Sequence, residues 1–344
     1  MGEPTTPDGG FPAFPGEAGS GVELDEDTNA LAGVDLGHLV EDWPEDFRAG
    51  FAALVGRPNT GKSTLTNALV GEKIAITSDR PQTTRRAVRG IVHRPDGQIV
   101  LVDTPGMHRP RTLLGERLND VVRETLSGVD VIALCLPADE KIGPGDRHLL
   151  TEVADMRGDL VAIVTKTDKV SRKTLAEKLL SVSQLADFAE IVPVSSVKGE
   201  QIDVLSDVLL ARMPLSPPLY PTGANTDESV EVTIAELVRE AALEGVRDEL
   251  PHSLAVVVDE MVERDRADGD TRPPVLAIHV SVVVERDSQK AIVIGRGGSR
   301  LREVGTRARA GIEEKLGRKV FLDLHVRVAK DWQRDPRQLG RLGF

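Results

Sequence analysis

Short apolar runs alternate with amphipathic stretches over residues 51–213, and this alternation predicts strands and helices in turn. Strands are expected at 51–55, 88–94, 99–103, 129–137, 160–165 and 191–194. Helices are expected at 64–70, 114–126, 146–156, 172–186 and 201–211. Such alternation implies a doubly wound α/β domain. The second and third strands meet across Arg94-Pro-Asp-Gly97, where Pro fixes φ and Gly is expected to supply a positive φ. They should form an antiparallel hairpin on an otherwise parallel sheet.

Four prolines in Pro214-Leu-Ser-Pro-Pro-Leu-Tyr-Pro221 end this pattern and read as a stiff, extended linker. Beyond it the apolar spacing changes. A helix over 232–249 carries Ile234, Leu237, Val238, Ala241 and Ala242 at helical intervals. Strands at 254–262 and 276–284, a short helix at 289–294, the loop Gly295-Arg-Gly-Gly298, a helix at 299–316 and a strand at 320–328 follow. This is an α+β arrangement. Residues 1–48 are rich in Gly, Pro and acid and their apolar residues show no period, so they are expected to be disordered. The domain organisation that results is an acidic extension at 1–48, an α/β domain at 49–213, a linker at 214–228 and a second domain at 229–344.

Composition sharpens this picture at three points. A single cysteine, Cys135, excludes an internal disulfide and any Cys-based zinc site, and its apolar run favours a buried, inert thiol. No signal peptide and no apolar run long enough to span a bilayer is evident, so a cytoplasmic location is expected. The net charge of −12 is unevenly placed. Residues 1–48 hold twelve Asp/Glu and one Arg, whereas residues 285–344 hold fifteen Lys/Arg against eight Asp/Glu. A basic end on an acidic chain points to a polyanionic partner.

The chemistry is concentrated at loops that follow the expected strands. Gly56-Arg-Pro-Asn-Thr-Gly-Lys-Ser63 runs from the first strand into the first helix, the setting of a phosphate-binding loop. Its glycines let backbone N–H groups curl around phosphate, and the helix that follows points its positive end at the same anion. Gly56, Asn59, Thr60, Gly61, Lys62, Ser63 and Thr64 are candidate binding residues, with Lys62 reaching the β- and γ-phosphates and Ser63 holding Mg²⁺. Asp103-Thr-Pro-Gly106 ends the third strand: Asp103 can hold Mg²⁺ through water, and the Gly106 N–H can bond a γ-phosphate. In Pro81-Gln-Thr-Thr-Arg-Arg86 a threonine can complete the Mg²⁺ shell, and Thr84 is favoured over Thr83. Thr165-Lys-Thr-Asp168 supplies a carboxylate at Asp168 able to accept from N1–H and the 2-amino group of guanine, which adenine lacks. The Lys166 stem can lie over the base, and Ser195, Ser196 and Val197 can cap it with backbone N–H groups. The four elements together imply a GTP/GDP site, with Lys62, Thr84 and Gly106 as catalytic candidates.

With the order of these motifs set, the chain resembles the Era GTPases. The phosphate loop, Ile76-Thr-Ser78, Pro81-Gln-Thr-Thr-Arg85, Asp103-Thr-Pro-Gly106 and Thr165-Lys-Thr-Asp168 carry the resemblance. Gln289-Lys-Ala-Ile-Val-Ile-Gly-Arg-Gly-Gly298 resembles a type II KH domain, and Val328-Ala-Lys-Asp-Trp332 with Leu342-Gly-Phe344 resembles the Era C-terminus. The resemblance implies that the second domain binds the 3′ end of small-subunit ribosomal RNA, that the protein acts in 30S assembly, and that it associates with the inner membrane. Ile294, Gly295, Arg296, Gly297, Gly298 and Arg300 are the candidate RNA-binding residues, with Ile292, Val293 and Ile294 flooring a groove for unstacked bases. Two positions bear on affinity and rate. The family's usual Asn is replaced by Thr165, shorter and expected to bridge the base site to the phosphate loop less well. Met107 follows Gly106 and cannot orient water, so hydrolysis needs help, for which Asn59 is a candidate K⁺ ligand. The competing class, a GTP-dependent regulator whose second domain binds protein or a small molecule, fits less well with a basic, glycine-looped second domain.

Overall fold

The structure, a computed structural model, describes residues 43–77, 84–106, 112–154, 156–244, 253–264 and 274–344. Residues 43–344 form one unit. Of residues 1–48, expected to be disordered, 1–42 lie outside the described residues, as do the expectations resting on Pro81, Gln82, Thr83, Met107 and the helix tail at 245–249. Residues 43–48 depart from the expectation, with Phe47 buried and Arg48 paired in the first sheet.

Six strands form the first sheet: β1 (Arg48–Val55), β2 (Val88–Arg94), β3 (Gly97–Asp103), β4 (Val131–Pro137), β5 (Asp159–Thr165) and β6 (Glu190–Pro193). Their order is β2-β3-β1-β4-β5-β6, with only β2 antiparallel to its neighbour. Every residue of β3 and β4 is buried, because helices cover both faces of a parallel sheet and leave no face for polar alternation. The covering helices are α1 (Lys62–Val70), α2 (Leu113–Ser127), α3 (Pro144–Val153), α4 (Arg172–Ser183) and α5 (Ile202–Leu210). One layer packs Leu65, Leu69, Leu205 and Leu209 against the sheet, and the other packs Val122, Leu126, Leu149 and Val182. Cys135 lies in the first of these clusters and burial pushes its thiol up to about 12, which makes it inert as expected.

The hairpin closes as expected, with Arg94 paired to Gly97, but Gly97 does not supply a positive φ. Glycine is needed there for close approach: a Cβ would stand 2.4 Å from Leu210 Cδ1 and 2.5 Å from the Arg48 carbonyl oxygen. β1 also begins earlier than expected, at Arg48, and Phe47 is buried ahead of it.

The linker is fastened along the sheet. Gln98, buried in β3, accepts from the Leu219 and Tyr220 N–H groups at 2.8 and 2.9 Å and donates to the Tyr220 carbonyl at 2.9 Å. Ala224 O lies 2.8 Å from His93 Nε2, and Thr226 pairs with Gly90.

The second sheet has the order β7-β8-β9, formed by β7 (Ala255–Arg264), β8 (Val275–Val284) and β9 (Val320–Val328), with β7 antiparallel and β9 parallel to β8. On one face lie α6 (Val230–Leu243), α7 (Asp287–Ile294) and α8 (Ser299–Leu316), packed through Ile234, Val238, Val293, Val304, Ala308 and Ile312. Helix α6 is capped by Ser229 and ends at Leu243, with Glu244 extended, short of the expected end. A closing helix α9 (Pro336–Arg341) was not expected from periodicity; Asp335 caps it and Pro336 opens it, a start signal legible in sequence. The two sheets are joined by a cluster of Leu114 and Leu118 from α2 with Ala255, Val283, Trp332 and Leu339.

Candidate functional site

Loops at the carboxyl ends of the parallel strands enclose a cleft of about 460 Å³, the position where open α/β sheets bind ligands. Asn59, Gly61, Lys62, Ser63, Thr64, Thr84, Gly106, Thr165, Lys166, Asp168, Ser196 and Val197 line it, all expected from sequence. Gly56, Thr60, Asp103 and Ser195 stand behind this lining. Pro58, Thr77, Glu140 and Lys169 also line it and were missed; their position just past strand ends or at the start of the α1–β2 connection was the available signal.

The phosphate-loop end is shaped by its own backbone. Gly61 adopts φ 97° ahead of α1, and Asn59 also has positive φ. Gly56 lies so close to β4 that a Cβ would stand 2.9 Å from the Cys135 carbonyl oxygen. Thr60 hydrogen-bonds Arg57 O at 3.0 Å. Lys62 is buried and donates to the carbonyls of Gly56 and Arg57 at 3.1 and 3.0 Å. Burial holds its ammonium below the usual lysine range, with Asp103 opposing the shift.

Asp103 is fully buried, and burial raises its carboxyl above the usual range while Lys62 and its hydrogen bonds oppose this. Thr84 Oγ1 donates to Asp103 Oδ2 at 3.1 Å and lies 2.9 Å from Ser63 Oγ. Asp103 Oδ1 is buried with no hydrogen-bond partner among the described residues. Two hydroxyl oxygens, of Ser63 and Thr84, therefore converge beside a carboxylate with one unsatisfied oxygen. That set suits a small divalent cation that takes its remaining ligands from phosphate and water. No group of three His, Cys, Asp or Glu among the described residues forms an all-protein cage. Gly106 abuts the phosphate loop, where a Cβ would meet Pro58 N at 2.8 Å.

At the other end, Asp168 Oδ1 accepts from Ser195 Oγ at 2.7 Å, and Lys198 N–H donates to the same hydroxyl at 3.3 Å. Ser195 thus orients the carboxylate and does not itself face the cleft. Lys166 has φ 58° and its ammonium is 3.9 Å from Glu140 Oε1, which leaves its stem along the cleft wall. Thr165 Oγ1 donates to Thr60 O at 2.6 Å, so the expected bridge between the two ends exists despite the shorter side chain.

The second candidate site is a groove of about 350 Å³ between α8 and β9, lined by Gly298, Leu301, Arg302, Gly305, Thr306, Arg309, Leu322 and Leu324. Gly295, Gly297 and Gly298 all have positive φ, and Arg296 and Gly297 are exposed at the loop tip. Three expectations change here. Val293 is buried in the core, so the apolar floor comes from Leu301, Leu322 and Leu324. Ile294 packs against the core cluster, with Ile292 left exposed beside it. Arg300 donates to Glu244 O and Ala242 O at 2.8 and 3.2 Å, neutralising the carbonyl end of α6.

The fold and the cleft define a P-loop GTPase joined to a KH domain. A family model described as 50S ribosome-binding GTPase matches residues 51–184, and a KH domain model matches 249–333. GTPase Era of Mycolicibacterium smegmatis is 63% identical over 302 residues, covering 87% of this chain and 99% of the relative. GTPase Era of Streptomyces coelicolor is 63% identical over 303 residues, covering 86% and 95%. Among solved structures, an Aquifex aeolicus Era variant bound to GDP·AlF4⁻ is 35% identical with TM-score 0.81, covering 86% of this chain and 99% of that one. Era in complex with MgGDPNP and nucleotides 1506–1542 of 16S ribosomal RNA matches with the same identity, coverage and TM-score. The chain belongs to the Era family of GTPases. It binds and hydrolyses GTP.

Proposed function

We propose that GTP and Mg²⁺ bind in the 460 Å³ cleft and that the KH groove takes the 3′ end of small-subunit ribosomal RNA during 30S assembly. The observation that carries this reading is the pairing within one cleft of Asp168, oriented by Ser195, with the Ser63–Thr84–Asp103 oxygens at the opposite end. In this reading Asp168 accepts from guanine, Lys166 covers the base, and the Ser196 and Val197 N–H groups cap it. Lys62 exchanges its two loop carbonyls for phosphate oxygens. Ser63, Thr84 and Asp103 would hold Mg²⁺, which would supply positive charge against the phosphates. The Gly106 N–H bonds the γ-phosphate. Asn59 is the residue through which K⁺ would add positive charge beside the phosphates, and equal rates in potassium and sodium chloride would remove that part.

A complex of the relative Era with MgGDPNP and 16S nucleotides supports taking both ligands together. No helix among the described residues is long and apolar enough to cross a membrane. A cytoplasmic protein, with peripheral association at the inner membrane as in the family, accords with this. The test is competition between nucleotides together with RNA binding. Asp168→Asn turns an acceptor into a donor and shifts preference from guanosine to xanthosine nucleotides. An unchanged preference, or failure of the wild type to hold a ribosomal 3′-end oligonucleotide with a GTP analogue present, overturns the reading.

A further inference from the structure

Thr77 and Arg85 both lie in the connection between α1 and β2, and both are held by the KH domain. Glu240 on α6 accepts from the Thr77 N–H at 3.0 Å and from its hydroxyl at 3.5 Å. Its other oxygen takes Lys73 Nζ at 2.6 Å. At the far end, Arg85 is buried, donates Nη1 to Leu254 O at 2.7 Å, and lies 5.9 Å from the Trp332 ring centroid. Thr77 and Thr84 both line the nucleotide cleft, whose lining includes no KH-domain residue. The same conformation seats Thr84 at 3.1 Å from Asp103 and 2.9 Å from Ser63. Anchors and seated threonine therefore coexist, and two features that favour one conformation stabilise each other.

We propose that Glu240 is a positioning residue for GTP hydrolysis, fixing Thr77 from the KH domain so that, with the Arg85 contact, Thr84 is presented to Asp103 and Ser63. This rests on the nucleotide site proposed above. The seat that Thr84 occupies serves Mg²⁺ and the γ-phosphate, so GDP gains little from it. Removing Glu240 should weaken a triphosphate and spare a diphosphate. Hydrogen bonds to a carboxylate are strong enough for a change of about tenfold.

Fluorescent derivatives of a non-hydrolysable GTP analogue and of GDP, titrated with the full chain in Mg²⁺, provide the test. Glu240→Ala should weaken the analogue about tenfold and lower kcat, with GDP affinity unchanged. Glu240→Gln keeps an acceptor for the Thr77 N–H and should restore analogue affinity, and Lys73→Ala, which breaks only the ion pair, should match the wild type. Equal loss of both nucleotides in Glu240→Ala, loss of neither, or no rescue by Gln overturns the positioning role. Retention of both nucleotides by Lys62→Ala would instead overturn the nucleotide site on which the role rests.

Discussion

The Thr165 hydroxyl donates to the Thr60 carbonyl at 2.6 Å, tying the loop that carries Asp168 to the loop that carries Lys62. Both residues are buried, so the bond is shielded from water. The shorter side chain therefore makes the bridge for which the family's usual Asn is known, and the reason to expect weak guanine binding disappears. Thr165→Ala should weaken GDP and GTP by similar factors of about tenfold, since the bridge serves the part common to both. Thr165→Asn should change either by no more than about threefold. Equilibrium titration with both nucleotides checks this, and a large gain with Asn would show that the hydroxyl bridge is inadequate.

Asp103 joins function to a cost in stability. Burial raises its carboxyl above the ordinary range, with Lys62 as the main opposing influence. The unfolded chain then gives up this proton at lower pH than the folded chain, so the folded state binds more protons within that window. Stability contributed by this residue is fully present below the ordinary carboxylate value and is lost as pH rises through Asp103's own pKa. At neutral pH, Asp103→Asn should raise the melting temperature of the nucleotide-free protein by about 2 to 4 °C for each kcal/mol relieved. It should also abolish Mg²⁺-dependent nucleotide binding. The gap between variant and wild type should shrink on acidification. Melting curves across pH, without nucleotide, measure it, and a gap that widens in acid would refute the assignment.

The first sheet was legible because β1, β4 and β5 are continuous apolar runs, and because the motifs after β1, β3, β5 and β6 named the loops that follow them. The limits of that legibility have physical causes. Gln98 carries no local signal that it will be buried and pin the linker, because its partners lie beyond residue 218. Arg300 sits among arginines suited to RNA, yet its guanidinium caps α6, a pairing set by tertiary approach. With the proline linker fastened to the sheet, Glu240, Arg85, Arg86 and the Trp332 cluster are among the direct contacts that the described residues make between the GTPase domain and the KH domain.

The ten Asp/Glu of residues 1–42, unaccompanied by Lys or Arg, include none of the site residues. A chain beginning at Trp43 should therefore hydrolyse GTP at the full-length rate. A chain beginning at Ala49 should not be equivalent. It lacks Phe47, whose ring is buried and whose carbonyl accepts from Ser216 N–H at 3.1 Å, and Arg48, which donates to Met213 O at 2.7 Å. Burial of the phenyl ring alone stabilises the fold by about 2 kcal/mol. Thermal melting should separate the two truncations by several degrees. Equal melting temperatures would mean that the segment before β1 contributes nothing.

RNA binding should divide the arginines of the KH domain into two kinds. Arg302 and Arg309 border the groove whose floor is Leu301, Leu322 and Leu324, so phosphates passing along that floor come within their reach. Each replaced by Ala should weaken a single-stranded ribosomal 3′-end oligonucleotide and lower the salt slope by about one. Arg300→Ala should leave the slope unchanged, because its guanidinium is engaged by Ala242 O and Glu244 O, and should instead lower stability through the α6 terminus. The loop tip gives the sharper test. Arg296 and Gly297 are exposed, and a Cβ at Gly297 would meet nothing within 4 Å. Replacing both by Asp therefore places two carboxylates in the phosphate path with little strain, since Asp tolerates the left-handed φ better than most residues. Binding should be abolished with the melting temperature nearly unchanged. Gly295 offers no such freedom: a Cβ there would stand 2.7 Å from Arg300 Cβ, so Gly295→Asp should disturb the fold as well. Titrations at several salt concentrations, each paired with a melting curve, distinguish these outcomes. Undiminished binding by the double Asp variant would place the RNA on another surface.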